Sequence, residues 1–154
     1  MKNDIAMKNK ITITRKIHFC AGHRVYKHEG KCATMHGHNY NAYITAEADQ
    51  LDELGRVIDF SVLKREVGDW IDNFWDHNFL VYEKDMSVIE CLLIAPRRKE
   101  PFICSFNPTA ENMAQYLLDE VCPRVLKGKN VTVTKILLYE TENCCAEVSL
   151  NEKV

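Results

Sequence analysis

From His38 to about Ala48, the residues Tyr40, Ala42, Ile44 and Ala46 share one parity, and the run is entered through His36-Gly37-His38. A period of two belongs to a strand with one buried face, so the two histidines project to the same side. Upstream, Ile11-Thr12-Ile13-Thr14 starts another alternation that runs weakly towards Cys20, and His23 sits where that strand ends. If residues 24–35 join the two as an antiparallel pair, their ends meet. His23 then faces the His-Gly-His pair across the ladder, at the short separation cross-strand neighbours keep. Gly37 lets the backbone pass closely. Three imidazoles converging from a rigid hairpin suit Zn²⁺, bound at about 2.0–2.1 Å, with a fourth position left for substrate or water. The alternatives are ordinary surface or core histidines, or a closed structural zinc with Cys32 as fourth ligand.

The rest of the chain supplies the cover for such a hairpin. Asp59 reads as a helix N-cap, followed at helical spacing by Leu63, Val67, Trp70, Ile71 and Phe74. Ser87 to Ala95 reads as a shorter helix and Phe102 to Phe106 as a short strand. Thr109 caps a second long helix striped by Met113, Leu117 and Val121, with an acid in its first turn. Val131 to Glu140 and Cys144 to Leu150 form a closing strand pair, turned at Thr141-Glu142-Asn143. The expected class is α+β, an antiparallel four-stranded sheet with two long helices on one face. Such a sheet exposes edges that a lone domain must protect, which predicts self-assembly.

With 154 residues, the chain is expected to be a single domain spanning 1–154, residues 1–10 forming a flexible tail. A 46% hydrophobic content excludes a mainly disordered chain. A net charge of −2 argues against nucleic-acid binding by counterion release. The longest mostly apolar stretch, Cys91 to Ala95, falls far short of the ~18 residues of a membrane span. Seven cysteines, an odd number, come without a secretory signal. They read as reduced thiols of a cytoplasmic protein.

Three further features carry chemistry. Cys32 lies four residues before His36, where Lys31 and a nearby metal both favour the thiolate, a plausible base or nucleophile. Trp75-Asp76-His77 ends the first helix. A working Asp-His pair there requires the chain to leave the helix, since adjacent residues do not face each other on one; a helix-terminal histidine is the plainer reading. Glu140, at a strand end, is either solvated or, in a cleft, able to accept two parallel hydrogen bonds from a guanidine-like edge such as that of a 2-amino-4-oxopterin. His18 and His28 read as packed or surface residues.

Together, His-Phe-Cys-Ala-Gly-His23-Arg, Gly-Lys-Cys32-x-x-x-His36-Gly-His38-Asn-Tyr, Val-Ile-Asp59-Phe-x-x-Leu-Lys, Asp76-His77-x-x-Leu, Pro-Thr109-Ala-Glu-Asn and Tyr-Glu140-Thr resemble, in order, the 6-pyruvoyl-tetrahydropterin synthase family. The resemblance runs from about Ile11 to Leu150. The three residues between Cys32 and His36 match its 6-carboxy-5,6,7,8-tetrahydropterin synthase branch, of queuosine biosynthesis. It implies a tunnelling fold, in which sheets of several subunits close a barrel and two rings stack as a homohexamer, with active sites at subunit contacts.

By the same resemblance His23, His36 and His38 are zinc ligands and Cys32 is the proton-abstracting thiol. Asp76 and His77 form the assisting relay, Glu140 is the pterin anchor and part of the relay, and Thr109 lines the pterin pocket. The implied substrate is 7,8-dihydroneopterin triphosphate, with acetaldehyde and triphosphate leaving. Arg24, Lys27 and Lys31 are candidates to meet the triphosphate. The rivals are 6-pyruvoyl-tetrahydropterin synthesis on the same fold and a non-catalytic, zinc-stapled assembly protein in which Cys32 ligates the metal. The chain departs from the family where Val81 follows Leu80 and in its long stretch from Tyr82 to Phe106.

Overall fold

The computed structural model describes residues 9–151; the expected tail lies outside them except for Asn9 and Lys10. β1 (Thr12–His23) and β2 (His36–Glu47) pair antiparallel along their whole length, from Thr12 opposite Glu47 to His23 opposite His36. On β1 the odd residues Ile17, Phe19, Ala21 and His23 are buried, and on β2 the even residues Tyr40, Ala42, Ile44 and Ala46. Alternation has therefore placed one face of the pair on the core, with all three histidines on that same face.

Asp59 accepts from the Ser61 amide and caps α1 (Phe60–Leu63), which continues through a wide turn at Lys64–Gly68 into α2 (Asp69–Phe74). The chain next forms β3 (Asn78–Tyr82), α3 (Met86–Ile94) and β4 (Phe102–Cys104). Thr109 accepts from the Asn112 amide and caps α4 (Ala110–Tyr116), which runs through a second wide turn, Leu117–Val121, into α5 (Cys122–Val125). β5 (Thr132–Tyr139) and β6 (Cys145–Ser149) close the chain. Leu63, Val67, Ile71, Met113, Leu117 and Val121 are fully buried against the sheet's inner face. Each such aliphatic side chain contributes about 1.5–3 kcal/mol over an exposed one.

The sheet is wider than the expected antiparallel four-stranded one: six strands in the order β4-β3-β1-β2-β5-β6, with β3 parallel to β1 and β4 parallel to β3. β3 is only five residues long and lacks a clear alternation, and both extra pairings are crossovers that local sequence does not announce. The cause is at the helix end. The rod stops at Phe74, His77 takes a positive φ of 52°, and its amide donates to the Cys20 carbonyl at 2.7 Å, starting β3 beside β1. No helix among the described residues is long and apolar enough to cross a membrane.

Candidate metal centre

The β1–β2 register sets His23 directly opposite His36, and His38 stands one inward position along β2. One nitrogen from each of the three rings lies within 4.8 Å of the others. The rings are oriented from behind. His23 Nδ1 is 2.7 Å from the Pro108 carbonyl and His36 Nδ1 is 2.6 Å from the Thr34 carbonyl. A ring that donates from Nδ1 to a carbonyl keeps Nε2 as a free lone pair, the form a metal needs. His38 Nε2 is buried without any hydrogen bond. A buried ring nitrogen that makes no hydrogen bond calls for an explanation, and a cation held by three imidazoles supplies one. The residues therefore fit zinc.

Burial holds the His23 and His38 rings below the usual imidazole range, partly opposed by the Glu140 charge, so both favour the neutral, ligating form. Glu140, at the end of β5, brings Oε1 to 3.4 Å from His38 Nε2 and Oε2 to 3.9 Å from His23 Nε2. Its carboxylate thus stands beside the open side of the triad, not in bulk solvent. Tyr40 completes the floor. Its hydroxyl is 3.3 Å from His23 Nε2, and burial raises its pKa far above the ordinary phenol value.

Gly37 separates His36 and His38, and a Cβ built there would lie 2.9 Å from the Ala21 carbonyl oxygen. Because that neighbour is backbone of the paired strand, it cannot swing aside. Gly37→Ala is expected to shift the hairpin mouth and lower zinc affinity by about tenfold or more, as disturbances just behind metal ligands do. Titration of the apo variant with zinc and a competing chelator checks this; wild-type affinity would refute it.

Cys32 sits in a single tight helical turn, Lys31–Ala33, in the loop between His23 and His36. Among the described residues the triad is the cluster able to share an ion, and Cys32 is not in it. Thr109 lies next to Pro108, whose carbonyl orients His23. Asp76 and His77 are brought together, Nδ1 to Oδ2 at 2.6 Å, because the chain has left the helix. Burial works against ionising Asp76, but the Cys20 amide, the His77 ring and Lys99 hold its carboxyl below the usual range.

His77 lines a cavity of about 950 Å³ together with His36 and His38 of the triad and with Cys20, Gly22, Gly37 and Asn39, so the Asp76-His77 pair opens onto the same cavity as two of the three histidines. Among the described residues no hydrogen bond joins it to the triad, Cys32 or Glu140.

Sequence reasoning missed Tyr40, read only as a strand residue, and the Pro108 carbonyl, a backbone atom that no side-chain pattern reveals. Arg24, a candidate to meet the triphosphate, has its charge engaged by protein. The guanidinium is bound to Asp85, Nε at 2.5 Å and Nη2 at 2.8 Å from its carboxylate.

The model of the 6-pyruvoyl tetrahydropterin synthase family matches residues 12–151. The 6-carboxy-5,6,7,8-tetrahydropterin synthase of Rickettsia typhi is 41% identical over 138 residues, covering 90% of this chain and 99% of its own. That of Aquifex aeolicus is 31% identical, with 90% and 97% covered. Among solved structures, the Caenorhabditis elegans 6-pyruvoyl tetrahydropterin synthase superposes with a TM-score of 0.65 at 24% identity, over 93% of this chain and 97% of that one. An uncharacterised protein of Wolinella succinogenes superposes at 0.78 with 23% identity, over 94% and 100%. The inward-facing histidines, the two capped helical rods and a match across nearly the whole chain agree: this chain belongs to the 6-pyruvoyl tetrahydropterin synthase family.

Proposed function

We propose that this chain is a zinc-dependent lyase. It converts 7,8-dihydroneopterin triphosphate and one water to 6-carboxy-5,6,7,8-tetrahydropterin, with release of acetaldehyde and triphosphate, in the queuosine route. The observation that carries the reading is the triad with Glu140 on its open side, 3.4 Å from a histidine nitrogen that has no hydrogen bond. The names of the relatives in Rickettsia and Aquifex support the 6-carboxy product.

His23, His36 and His38 would hold the zinc. When bound, it supplies a Lewis acid that eases loss of protons from the carbons and hydroxyls of the side chain it holds. Cys32 takes a proton from that side chain as the thiolate. Glu140 binds substrate through charge-assisted hydrogen bonds, accepting from the amino and ring N–H edge of the pterin. Thr109 fixes the helix end that borders the pocket. Lys27 and Lys31 remain to meet the triphosphate.

His77 shares its cavity with His36 and His38, so in this reading Asp76-His77 serves there as the proton relay of a site completed by a neighbouring subunit. The unpaired edges of β4 and β6 supply the reason to assemble, as a homohexamer. Sedimentation giving only monomer at micromolar concentration would contradict that assembly.

Acetaldehyde separates this reaction from 6-pyruvoyl synthesis, which releases no carbon fragment. Trapping the aldehyde as a hydrazone, in amounts equal to triphosphate released, is the expected result; triphosphate release without aldehyde would assign the other product. Glu140→Ala is expected to weaken substrate binding as well as turnover, by about tenfold or more for a lost charge-assisted contact of roughly 1.5–3 kcal/mol. Calorimetric titration with a non-reacting pterin checks it, and unchanged affinity would remove Glu140 from the binding site.

A further inference from the structure

Arg24 follows the ligand His23 at the end of β1, yet its guanidinium points at protein on three sides. Nε and Nη2 donate to Asp85 at 2.5 and 2.8 Å, and Nη1 donates to the Ala33 carbonyl at 3.1 Å. Asp85 is only 2% exposed and immediately precedes α3, where it also accepts from the Ser87 hydroxyl at 3.3 Å. A carboxylate buried this far is tolerated only with a charged, well-aligned partner, and the forked guanidinium is the best available one.

What the fork grips matters. Ala33 is the residue after Cys32 in the Lys31–Ala33 turn, and the Cys32 carbonyl accepts from the Val25 amide at 2.8 Å. One residue further on, the Thr34 carbonyl holds His36 Nδ1 at 2.6 Å. On the other side of the loop, Asn107 brackets Tyr26, accepting from its amide at 2.8 Å and donating to its carbonyl at 3.0 Å. The turn that carries the thiol and aims one ligand is therefore anchored to the stretch between β3 and β4 through the ion pair of half-buried Arg24 with buried Asp85.

We propose that Asp85 and Arg24 are positioning residues, the pair fixing the 31–34 turn and so the stand of the Cys32 thiol and the aim of His36. The kinetic consequence rests on the function proposed above; the thiol's accessibility does not.

The test uses zinc-loaded full-length Asp85→Asn and Arg24→Lys. The first removes the buried charge, and the second keeps the charge but loses the reach to Ala33. Alkylation by iodoacetamide is followed cysteine by cysteine through peptide masses, with exposed Cys91 and Cys144 and buried Cys104 and Cys122 as internal references. In both variants Cys32 is expected to react severalfold faster while the four references keep their rates. Turnover of dihydroneopterin triphosphate should fall about tenfold to a hundredfold at a nearly unchanged KM, the usual effect of a small misplacement.

Wild-type Cys32 reactivity in the folded variants overturns the proposal whatever turnover does. So does a joint rise at Cys32, Cys104 and Cys122, which marks general loosening. If Asp85→Asn does not fold, Arg24→Lys decides by the same criteria. A wild-type protein inert towards the pterin would sink the proposed function alone, leaving the alkylation result to judge the clamp.

Discussion

Cys32→Ala is expected to keep its zinc and bind pterin normally, yet lose roughly 10²–10⁴ in turnover, the usual worth of a positioned general base. Metal and binding should survive because the sulfur belongs to neither arrangement: the three-donor cluster is His23, His36 and His38, and Glu140 stands against the histidines. The kinetic signature is a fall in kcat with KM nearly constant, since the thiol acts in the transition state and not in ground-state binding. Zinc analysis alongside steady-state kinetics decides the matter. If Cys32→Ala instead loses zinc and unfolds, the thiol is a structural ligand and the assembly-protein reading takes over.

His38→Ala should do the reverse, lowering zinc affinity by at least about 10²-fold, since even groups behind a ligand are worth 10–100-fold. Its effect on stability should depend on the metal. At zinc a hundred times above the wild-type Kd, wild-type protein gains about 2.7 kcal/mol from binding, against about 0.4 kcal/mol for a variant whose affinity is 10²-fold lower. Without metal the gap should shrink to what the lost ring contacts with His23, His36 and Tyr40 are worth, because His38 Nε2 makes no hydrogen bond to lose. Melting curves with zinc and with a chelator check this. A variant equally destabilised in both conditions would make His38 a packing residue.

The centre was legible because its determinants are periodic. Odd parity along β1 and even parity along β2 put Phe19, Ala21, Tyr40 and Ala42 in the core, and the histidines follow their strands. The two rods were legible for the same reason, with Asp59 and Thr109 marking their starts by side-chain caps. What stayed hidden depends on contacts distant in sequence. β3 and β4 join the sheet only because His77 adopts a left-handed turn and bonds to Cys20, a choice made by a partner 57 positions away and not by local propensity.

Arg24 shows the same limit on the chemical side. In the sequence it is a basic residue in a lysine-bearing loop, so solvent or phosphate is its natural partner. Burial of Asp85, 61 positions away, redirects it. Asp76 and His77 lie between these cases: the need to leave the helix was legible, and the geometry meets it with a 2.6 Å contact. The place of the pair, on one cavity with His36 and His38, follows from the pairing of β3 with β1, which was not legible.

The most direct measurement is the mass of the pterin formed when the purified, zinc-loaded protein is incubated with 7,8-dihydroneopterin triphosphate. The account predicts 6-carboxy-5,6,7,8-tetrahydropterin, formed by wild type, abolished by chelation and restored by zinc. Unchanged substrate, or 6-pyruvoyl-tetrahydropterin as the product, would contradict it.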